Sequence, residues 1–384
     1  MKIFIFTGGG LAPTLNSTIY GIVEATQNLG WEVYGGLFGW ASLLKGGKHV
    51  RLDNLDLKPL LIHGGTILRS SRTNPFKVEG GAEQIKQTIK DLKIDGIIAI
   101  GGDDTLNAAR RLAEMGLPVV AVPKTIDNDL SGTYFTPGFP SAAHYLKIFT
   151  SQIKEDAAYA LSRIFVIESQ GMKAGWLAAS AIYGGADVII PSEGVHDLDK
   201  VLTVIKDRYQ KNGNYAVVVV AQEAQFKQKL EIKEDIQIGE QYGHKRQSFI
   251  CLALREIIKE RLGVDTKALY PGNFLESDEP ITLDRDMARL LGAKAVGLLE
   301  QKKYGLMACI VRPKEKKLDL KIEAVLLSEA VGDGKYRALP ADFFDVENFK
   351  PTQKFLDYMA PIAGVFNEKD DDYTKLIKKI TASA

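Results

Sequence analysis

The sequence lacks several features that would assign it to a class at once. Only two cysteines, Cys251 and Cys309, occur in 384 residues, and their spacing fits neither a metal site nor a disulfide scaffold. We expect both to be buried thiols. No apolar run approaches the ~20 residues that a membrane-spanning helix needs. Residues 1–6 lead straight into a predicted strand instead of a signal peptide, so we predict a cytoplasmic protein without a membrane partner.

Net charge is also lacking. Lys and Arg total 49 and Asp and Glu total 48, giving +1, so no general affinity for nucleic acid is predicted and any phosphate must be bound by a local site. The P-loop pattern, the protein-kinase motifs and a Ser-His-Asp arrangement are missing. Residues 7–12, Thr-Gly-Gly-Gly-Leu-Ala, break the G-x-G-x-x-G spacing of a Rossmann dehydrogenase. These absences exclude the commonest nucleotide-binding classes.

What the sequence does contain is an alternation of strands and helices. Apolar runs predict strands over 2–6, 31–38, 96–100, 119–122, 164–168, 187–190, 215–220 and 306–311. Helical patterns are predicted over 18–29, 79–92, 141–156, 175–183, 197–211, 247–261, 285–296 and 372–380. We predict an α/β protein with two lobes of mainly parallel sheet flanked by helices, one over 1–140 and one over 141–384.

Charged loops follow two successive strands of the first lobe. Asp103 and Asp104 come after the strand that ends in Gly101-Gly102, and Lys124, Asp127 and Asp129 come after the next. Ligands of α/β sheets bind outside the carboxyl ends of strands, so we expect both loops to face one crevice. Carboxylates beside phosphates suit Mg²⁺. One aspartate could hold the metal while another accepts a proton and the lysine neutralises a transferring phosphoryl group.

Simpler interpretations stay open for parts of this pattern. Asp104 or Thr105 could merely cap a helix that begins near Thr105. The glycine run over 7–10 lies between a strand and a helix and could point N–H groups at a phosphate, but tight turns need glycine in any case. Arg69 and Arg72, in the polar loop over 64–76, are either two solvated side chains or a guanidinium fork for a phosphoryl group.

Several segments resemble one known family. Residues 101–105 (Gly-Gly-Asp-Asp-Thr) and 123–129 (Pro-Lys-Thr-Ile-Asp-Asn-Asp) resemble the two signature loops of 6-phosphofructokinases, as do residues 9–16, 64–76 and 173–178. The resemblance runs from Met1 to about residue 297. It implies an enzyme of sugar metabolism with its active site in the cleft between a donor lobe and an acceptor lobe. It also implies that the chain returns to the donor lobe near 280–300.

The resemblance implies a donor as well. ATP-dependent members of the family usually carry glycine where Asp104 and Lys124 stand, whereas pyrophosphate-dependent members carry this pair. A carboxylate would repel the α-phosphate of a nucleotide, and an ammonium can hold a smaller, highly charged donor. The implied donor is pyrophosphate with Mg²⁺. The implied roles are the metal ligand, Asp103; the base, Asp127; catalytic groups that position the reactants, Lys124, Thr125 and Asp129; and donor contacts, Gly10, Arg72, Gly102, Asp104 and Lys124.

The acceptor side departs from the family pattern. The family's Met-Gly-Arg sugar-binding motif becomes Gln170-Gly171-Met172, and its Gln-Arg-Gly-Gly loop becomes the acidic segment 275–278. Two phosphate-pocket cations remain, Arg163 and Arg285. Gln222 and Glu223 stand where the family places a group that accepts from sugar hydroxyls. Either other cations (Lys173, Lys245 or Arg246) replace the lost arginines, or the acceptor carries no phosphate there.

Three hypotheses follow. The first is pyrophosphate-dependent transfer to a hydroxyl of a sugar phosphate, with fructose 6-phosphate as the expected acceptor. The second keeps the donor and changes the acceptor to another sugar, polyol or sugar phosphate. The third is a non-catalytic paralogue that binds phosphometabolites, against which the intact Lys124 and Asp127 argue. Because Arg163 in this family often serves a neighbouring subunit, a homodimer or homotetramer is also predicted.

Overall fold

A computed structural model describes residues 1–159, 162–230, 249–313, 319–332, 334–366 and 380 of the chain. Contacts divide the chain into two compact units. Unit 1 comprises Met1–Ala142 and Phe274–Arg337, and unit 2 comprises Ala143–Asn273 and Ala338–Ala384. Within the described residues, no helix combines the length and apolarity that crossing a membrane requires. Cys251 and Cys309 are both buried free thiols, as expected from the sequence.

The elements follow in chain order. The strands are β1 Lys2–Thr7, β2 Glu32–Gly36, β3 His49–Arg51, β4 Gly96–Gly101, β5 Val119–Pro123, β6 Ile164–Ser169, β7 Val188–Ile190, β8 Val195–His196, β9 Ala216–Ala221, β10 Gln225–Phe226, β11 Thr266–Leu269, β12 Leu306–Val311, β13 Lys321–Leu326, β14 Phe344–Asp345 and β15 Lys350–Pro351. The α-helices are α1 Leu15–Gln27, α2 Gly81–Leu92, α3 Asp103–Glu114, α4 Phe139–Tyr159, α5 Trp176–Ser180, α6 Leu198–Lys211, α7 Ile250–Leu262, α8 Phe274–Ser277, α9 Thr282–Glu300, α10 Leu327–Ala330 and α11 Gln353–Ala363.

Unit 1 is built on a seven-stranded sheet with the order β13-β12-β5-β4-β1-β2-β3. Its five inner strands pair in parallel, and β3 and β13 are antiparallel edges. Every residue of β4 and β5 is buried. Continuous Ile, Val and Ala runs of this kind are typical of parallel strands covered on both faces. The carboxyl ends of β1, β4 and β5 therefore lie at one edge, where the charged loops begin.

Unit 2 has a smaller sheet of the same kind, with the order β11-β6-β9-β7. All three of its strand pairings are parallel, and every residue of β6 and β9 is buried. Helices α5, α6 and α7 contact its strands. The predicted α/β class, with mostly parallel sheets flanked by helices, is confirmed.

Some predicted boundaries are wrong for identifiable reasons. Helix α1 starts at Leu15 instead of 18, because Leu15 lies on the same buried face as Ile19 and Ile22. β2 stops at Gly36, since Phe38 adopts a left-handed conformation and a 3-10 turn follows. The helix predicted over 285–296 is α9, which begins at Thr282 and extends to Glu300. The helix predicted over 372–380, apart from its last residue, lies outside the described residues.

Helices α1 and α9 approach each other so closely that a glycine, Gly292, is required at the crossing. A β-carbon on Gly292 of α9 would lie 2.6 Å from the Thr18 carbonyl oxygen and 3.0 Å from the Ile22 nitrogen. Both neighbours are backbone atoms, so one helix would have to move. A β-carbon on Gly297, in the same helix, would meet nothing within 4 Å.

This contrast gives a matched pair of stability predictions. Gly292→Ala is expected to lower the free energy of unfolding by about 1–3 kcal/mol through overpacking. Gly297→Ala is expected to raise it by up to about 1 kcal/mol, because alanine has the higher helix propensity. Urea unfolding of the two variants beside the unaltered protein measures both changes. Equal effects of the two substitutions would contradict the close crossing.

Candidate active site

The site begins where β4 and β5 end. The two strands pair in parallel, and their register places Gly101 opposite Pro123. The Lys124 backbone nitrogen donates to the Gly101 carbonyl at 2.9 Å, so the two following loops leave the sheet side by side. Both charged loops therefore begin at one edge of the sheet, and the prediction that they face one crevice stays a prediction.

Helix α3 starts earlier than the sequence suggested. It begins at Asp103, with Gly102 as its N-cap in extended conformation, so the interpretation that Asp104 or Thr105 caps the helix is wrong. Asp103 and Asp104 both occupy the first turn, where the unpaired N–H groups of the helix favour negative charge. Asp103 is half-buried and Asp104 is exposed. The helix N-terminus therefore stabilises the two carboxylates, although neither of them is its N-cap.

Glycines allow the loops to converge. A β-carbon on Gly8 or on Gly101 would lie 2.5 Å from atoms of the buried Thr105 side chain, which fills the space that the two glycines leave. A β-carbon on Gly9, whose φ is +85°, would lie 3.7 Å from Lys124 Nζ and 4.0 Å from the Gly102 nitrogen. The glycine run, the start of α3 and Lys124 thus meet at one point.

Most of the glycine run does not offer N–H groups to a ligand. The Gly8 nitrogen donates to the Ile100 carbonyl at 2.9 Å, and the Gly9 nitrogen donates to the Ser71 carbonyl at 3.1 Å. The prediction that the run points its amides at a phosphate is wrong for these two residues, because both amides bind protein carbonyls. Gly10 is exposed, and a β-carbon there would meet nothing within 4 Å. Gly10 therefore remains a candidate donor contact.

Lys124 is buried at the centre of this arrangement. Its ammonium donates to the Gly10 carbonyl oxygen. Burial lowers its pKa to about 8, against the opposing effect of the negative charges of Asp127, Glu276 and Asp129. The positive charge of Arg72 lowers this pKa further. The ammonium is thus a desolvated cation that an anionic ligand would stabilise.

Asp127 has the electrostatic character expected of a base. Burial raises its pKa to about 7, and the neighbouring Asp129 carboxylate raises it further, while a hydrogen bond with Thr125 and the charge of Lys124 act in the opposite direction. Burial also raises the pKa of Asp129. The Asp127 nitrogen donates to Thr125 Oγ1 at 3.1 Å. A carboxylate whose pKa lies near neutrality is suited to accept a proton at physiological pH.

The loop that carries these aspartates is folded back on itself. Asn128 is fully buried with a left-handed φ of 58°, and its Oδ1 accepts from the Thr136 nitrogen at 3.0 Å. The Thr136 hydroxyl donates to the Thr125 carbonyl at 2.9 Å. The Thr125 nitrogen donates to the Pro137 carbonyl at 3.2 Å. The two ends of the loop therefore hold each other.

The two arginines of the 64–76 loop do not form a fork. Arg69 has a left-handed φ of 57° and places its guanidinium 5.7 Å from the centroid of the Phe38 ring. Arg72 is exposed, and its charge acts on Lys124. Arg72 therefore lies within electrostatic reach of Lys124, which supports its prediction as a donor contact.

No ready-made metal cage exists among the described residues. Within that part of the chain, no group of three or more His, Cys, Asp or Glu side chains could hold an ion. Mg²⁺ commonly uses one or two carboxylates together with water and substrate phosphates. The half-buried Asp103 and the exposed Asp104 at the start of α3 fit that partial donor set.

Five of the predicted acceptor residues of unit 2 gather at the carboxyl edge of its sheet, whereas Arg163 precedes β6 at the other edge. β6 and β9 pair with Ser169 opposite Ala221, so Gln170–Met172 and Gln222–Glu223 emerge side by side. Gln222 Nε2 donates to the Met172 sulfur at 3.0 Å. Met172 has a left-handed φ of 49°. Uncharged groups therefore stand where the family pattern has an arginine.

The remaining predicted cations have protein partners, are exposed, or lie outside the described residues. Arg163 Nη2 lies 3.3 Å from Asp265 Oδ2. Arg285, in the first turn of α9, places Nε 3.2 Å from Asp286 Oδ1. Lys173 is exposed, and Lys245 and Arg246 fall in the undescribed segment 231–248.

Sequence reasoning missed three residues that organise unit 1 around the site. Buried Asp284 accepts from the Gly138 and Ser141 nitrogens and from the Ser141 hydroxyl, and so binds the start of α4. Asn128 and Arg337 hold the aspartate loop. Asn128 lies within the signature segment 123–129 but was given no role there. No motif spacing marks Asp284 or Arg337, since most of their partners are backbone groups brought together by folding.

Comparison with known proteins agrees with this architecture. The family model described as Phosphofructokinase matches residues 2–299. The chain belongs to the phosphofructokinase family. Enzymes of this family generally use a divalent cation.

Individual relatives differ in donor. The chain is 38% identical over 311 residues to a protein of Dictyoglomus thermophilum named pyrophosphate–fructose 6-phosphate 1-phosphotransferase, covering 81% of this chain and 89% of the relative. It is 34% identical over 339 residues to a Corynebacterium efficiens protein named ATP-dependent 6-phosphofructokinase, covering 86% and 94%. A pyrophosphate-dependent phosphofructokinase structure from Marinobacter aquaeolei shares the fold, with a TM-score of 0.82 and 23% identity over 96% of this chain and 94% of that one.

Proposed function

We propose that this phosphofructokinase-family chain transfers a phosphoryl group from pyrophosphate to a hydroxyl of a sugar phosphate, with fructose 6-phosphate as the acceptor. The observation that carries the proposal is that Asp127, whose pKa is raised to about 7, follows β5 in the same short loop as Lys124, whose charge lowers the pKa of Asp127. The name of the Dictyoglomus thermophilum relative states both substrates. The non-catalytic hypothesis does not explain why a half-buried base with a raised pKa should lie in the same loop as a buried cation.

Residues of unit 1 can carry out each step of the proposed transfer. Asp127 accepts the proton of the acceptor hydroxyl as its oxygen forms a bond to the transferred phosphorus. The bond between that phosphorus and the bridging oxygen of pyrophosphate breaks, and inorganic phosphate leaves with the electron pair. Lys124 and Gly10 neutralise and orient the donor. Mg²⁺, when bound, supplies charge neutralisation to the phosphates, and Asp103 is the residue that would hold it.

Asp104 and Lys124 support pyrophosphate over a nucleotide. Asp104 is exposed in the first turn of α3, where a carboxylate repels the additional phosphate of a nucleotide donor. Lys124 adds a cation that a compact and highly charged donor can use. Since relatives of both donor types match the chain, these residues support the donor more specifically than family membership does.

The test is a matrix of donors against acceptors. Purified protein with Mg²⁺ would be offered pyrophosphate or ATP together with fructose 6-phosphate, fructose, other sugars or polyols. We expect turnover with pyrophosphate and fructose 6-phosphate. Turnover with ATP alone would overturn the donor, and no transfer to any acceptor would overturn the proposal. Light scattering of the same sample tests the predicted homodimer or homotetramer.

One observation favours a second candidate, in which the acceptor has no phosphate. Half-buried Glu276, in α8, raises the pKa values of both Lys124 and Asp127. A negative charge therefore lies within electrostatic reach of the reacting groups. The end of α8 packs closely against Gly64. A β-carbon on Gly64 would lie 2.2 Å from the Asp278 carbonyl oxygen and 2.5 Å from that of Ser277. A phosphate dianion beside Glu276 would be repelled.

Glu276→Arg separates the two acceptors. If the second candidate is correct, Glu276→Arg turns repulsion of the acceptor's phosphate into attraction. We then expect kcat/KM for fructose 6-phosphate, relative to kcat/KM for an unphosphorylated acceptor, to rise about 10-fold or more. Steady-state kinetics with both acceptors measure the ratio. Glu83→Arg, on the exposed face of α2, is the matched charge reversal and should leave it unchanged. Equal ratios in the two variants would eliminate the second candidate.

A further inference from the structure

We propose that Arg337 is a positioning residue that holds the Asp127–Asp129 loop in its reactive conformation through a planar array of hydrogen bonds. Arg337 lies 209 residues beyond Asn128 in the chain and outside the segment that matches the family model. The kinetic part of the inference rests on the proposed function, and the structural part can be tested without it.

The guanidinium donates to two separate parts of the chain between Asp127 and Thr136. On one side, Nε and Nη2 donate to the Asn128 carbonyl oxygen at 3.0 and 2.8 Å, and Nη2 also donates to Asn128 Oδ1. On the other side, Nη1 donates to the carbonyl oxygens of Thr133 and Tyr134 at 2.6 and 2.8 Å. One side chain thus bridges residues 128 and 133–134.

The Arg337 backbone adds a further contact. Its nitrogen donates to the Asp129 carbonyl oxygen at 2.6 Å. Main-chain and side-chain donors of one residue therefore bind two successive residues of the loop. Asp127 directly precedes the first of them, so movement of the Asn128 peptide would move Asp127.

The loop needs such a partner because of its shape. Asn128 is fully buried in a left-handed conformation, and its carbonyl accepts from the Arg337 guanidinium. A buried carbonyl without a donor is unfavourable, because it loses its hydrogen bond to water and gains none from the protein. Arginine offers five N–H groups in a fixed plane, whereas lysine offers three donors at a single point. The observed set of acceptors is one that lysine cannot reproduce.

Arg337 also influences the charges of the loop. Its positive charge lowers the pKa of Asp129, as does that of Lys124. The Asp129 and Glu276 carboxylates raise the pKa of Asp127, and Lys124 lowers it. Removing the guanidinium should therefore raise the pKa of Asp129. Because a protonated Asp129 no longer raises the pKa of the base Asp127, the acidic limb of the kcat/KM profile should move to lower pH.

The experiment compares Arg337→Ala, Arg337→Lys and the surface control Lys335→Ala, an exposed residue two positions away. We expect kcat to fall about 10- to 100-fold in both Arg337 variants with a smaller change in KM, and to stay unchanged in the control. The acidic limb should shift in Arg337→Ala and shift less in Arg337→Lys. Added guanidinium at millimolar concentration should restore part of kcat to Arg337→Ala, and methylammonium should not.

Hydrogen exchange gives a measurement that does not depend on activity. Amides of residues 126–136 should exchange at least ~10-fold faster in both Arg337 variants than in the control, while amides of β4 stay protected. Unchanged exchange together with unchanged kcat would overturn the inference. So would full rescue by lysine, because charge alone would then suffice. If the unaltered protein transfers no phosphoryl group, the proposed function fails, and exchange alone decides the role of Arg337.

Discussion

Asp127→Asn is expected to lower kcat for transfer from pyrophosphate by about 10³-fold, near the middle of the 10²- to 10⁴-fold range that a general base contributes. Asparagine keeps the size and shape of the side chain but cannot accept the proton of the acceptor hydroxyl. Because substrate contacts are kept, KM should change much less than kcat. Initial rates at pH 8, where the unaltered carboxyl is mostly ionised, measure the loss.

Asp127→Asn should also raise the free energy of unfolding, but only at pH values at which the Asp127 carboxyl would be ionised. The pKa of Asp127 is raised from 3.8 in the unfolded chain to about 7 in the folded protein. Between these values the folded state binds more protons than the unfolded state, so the carboxyl lowers stability as pH rises from about 4 to 7. Asparagine removes this penalty. The variant should gain roughly 1 kcal/mol or more at pH 8 and nothing at pH 4.

Thermal unfolding at the two pH values tests the gain, with Asp91→Asn as the matched control. Asp91 is exposed on α2 and bound only by Gln87 among the hydrogen bonds described for it. Asp91→Asn should change neither kcat nor the pH dependence of the free energy of unfolding. A variant at position 127 that kept more than about a tenth of kcat would contradict the assignment of Asp127 as the base.

The class of fold and the location of the site were predictable because both depend on local pattern. Continuous Ile, Val and Ala runs predict buried parallel strands. The charged residues directly after Gly101 and Pro123 had to share an edge once those strands paired in parallel. Parallel pairing therefore places the loop with Lys124, Asp127 and Asp129 beside the start of α3, while the roles of these residues stay a prediction.

The rest depends on contacts that span the chain. Arg337 binds carbonyl groups, which every residue possesses, so no residue type in the loop signals its partner. The same holds for Asp284, which accepts from the Gly138 and Ser141 nitrogens. The role of the glycine run could not be decided from the sequence for a related reason. Its glycines meet the need for close packing against Thr105, and the amides of Gly8 and Gly9 are used within the protein.

Lys124→Met gives the second large expected effect. Methionine keeps the length of the side chain and removes the ammonium, so kcat/KM for pyrophosphate should fall about 10²- to 10³-fold, as when one donor to a developing charge is removed. The unaltered protein should also lose kcat/KM as pH rises above about 8, because burial lowers the pKa of Lys124 to about 8 and the neutral amine cannot hold the anion.

The pH profile makes this prediction specific to charge. The alkaline limb should be present in the unaltered protein and in Lys90→Met, an exposed lysine of α2, and absent in Lys124→Met, whose residual activity has no ammonium to lose. A merely structural role for Lys124 would lower the amount of folded enzyme and leave the shape of the profile intact. Since the Lys124 ammonium also donates to the Gly10 carbonyl, the variant should loosen the glycine run, but only loss of the alkaline limb would identify the ammonium as the group that binds the donor.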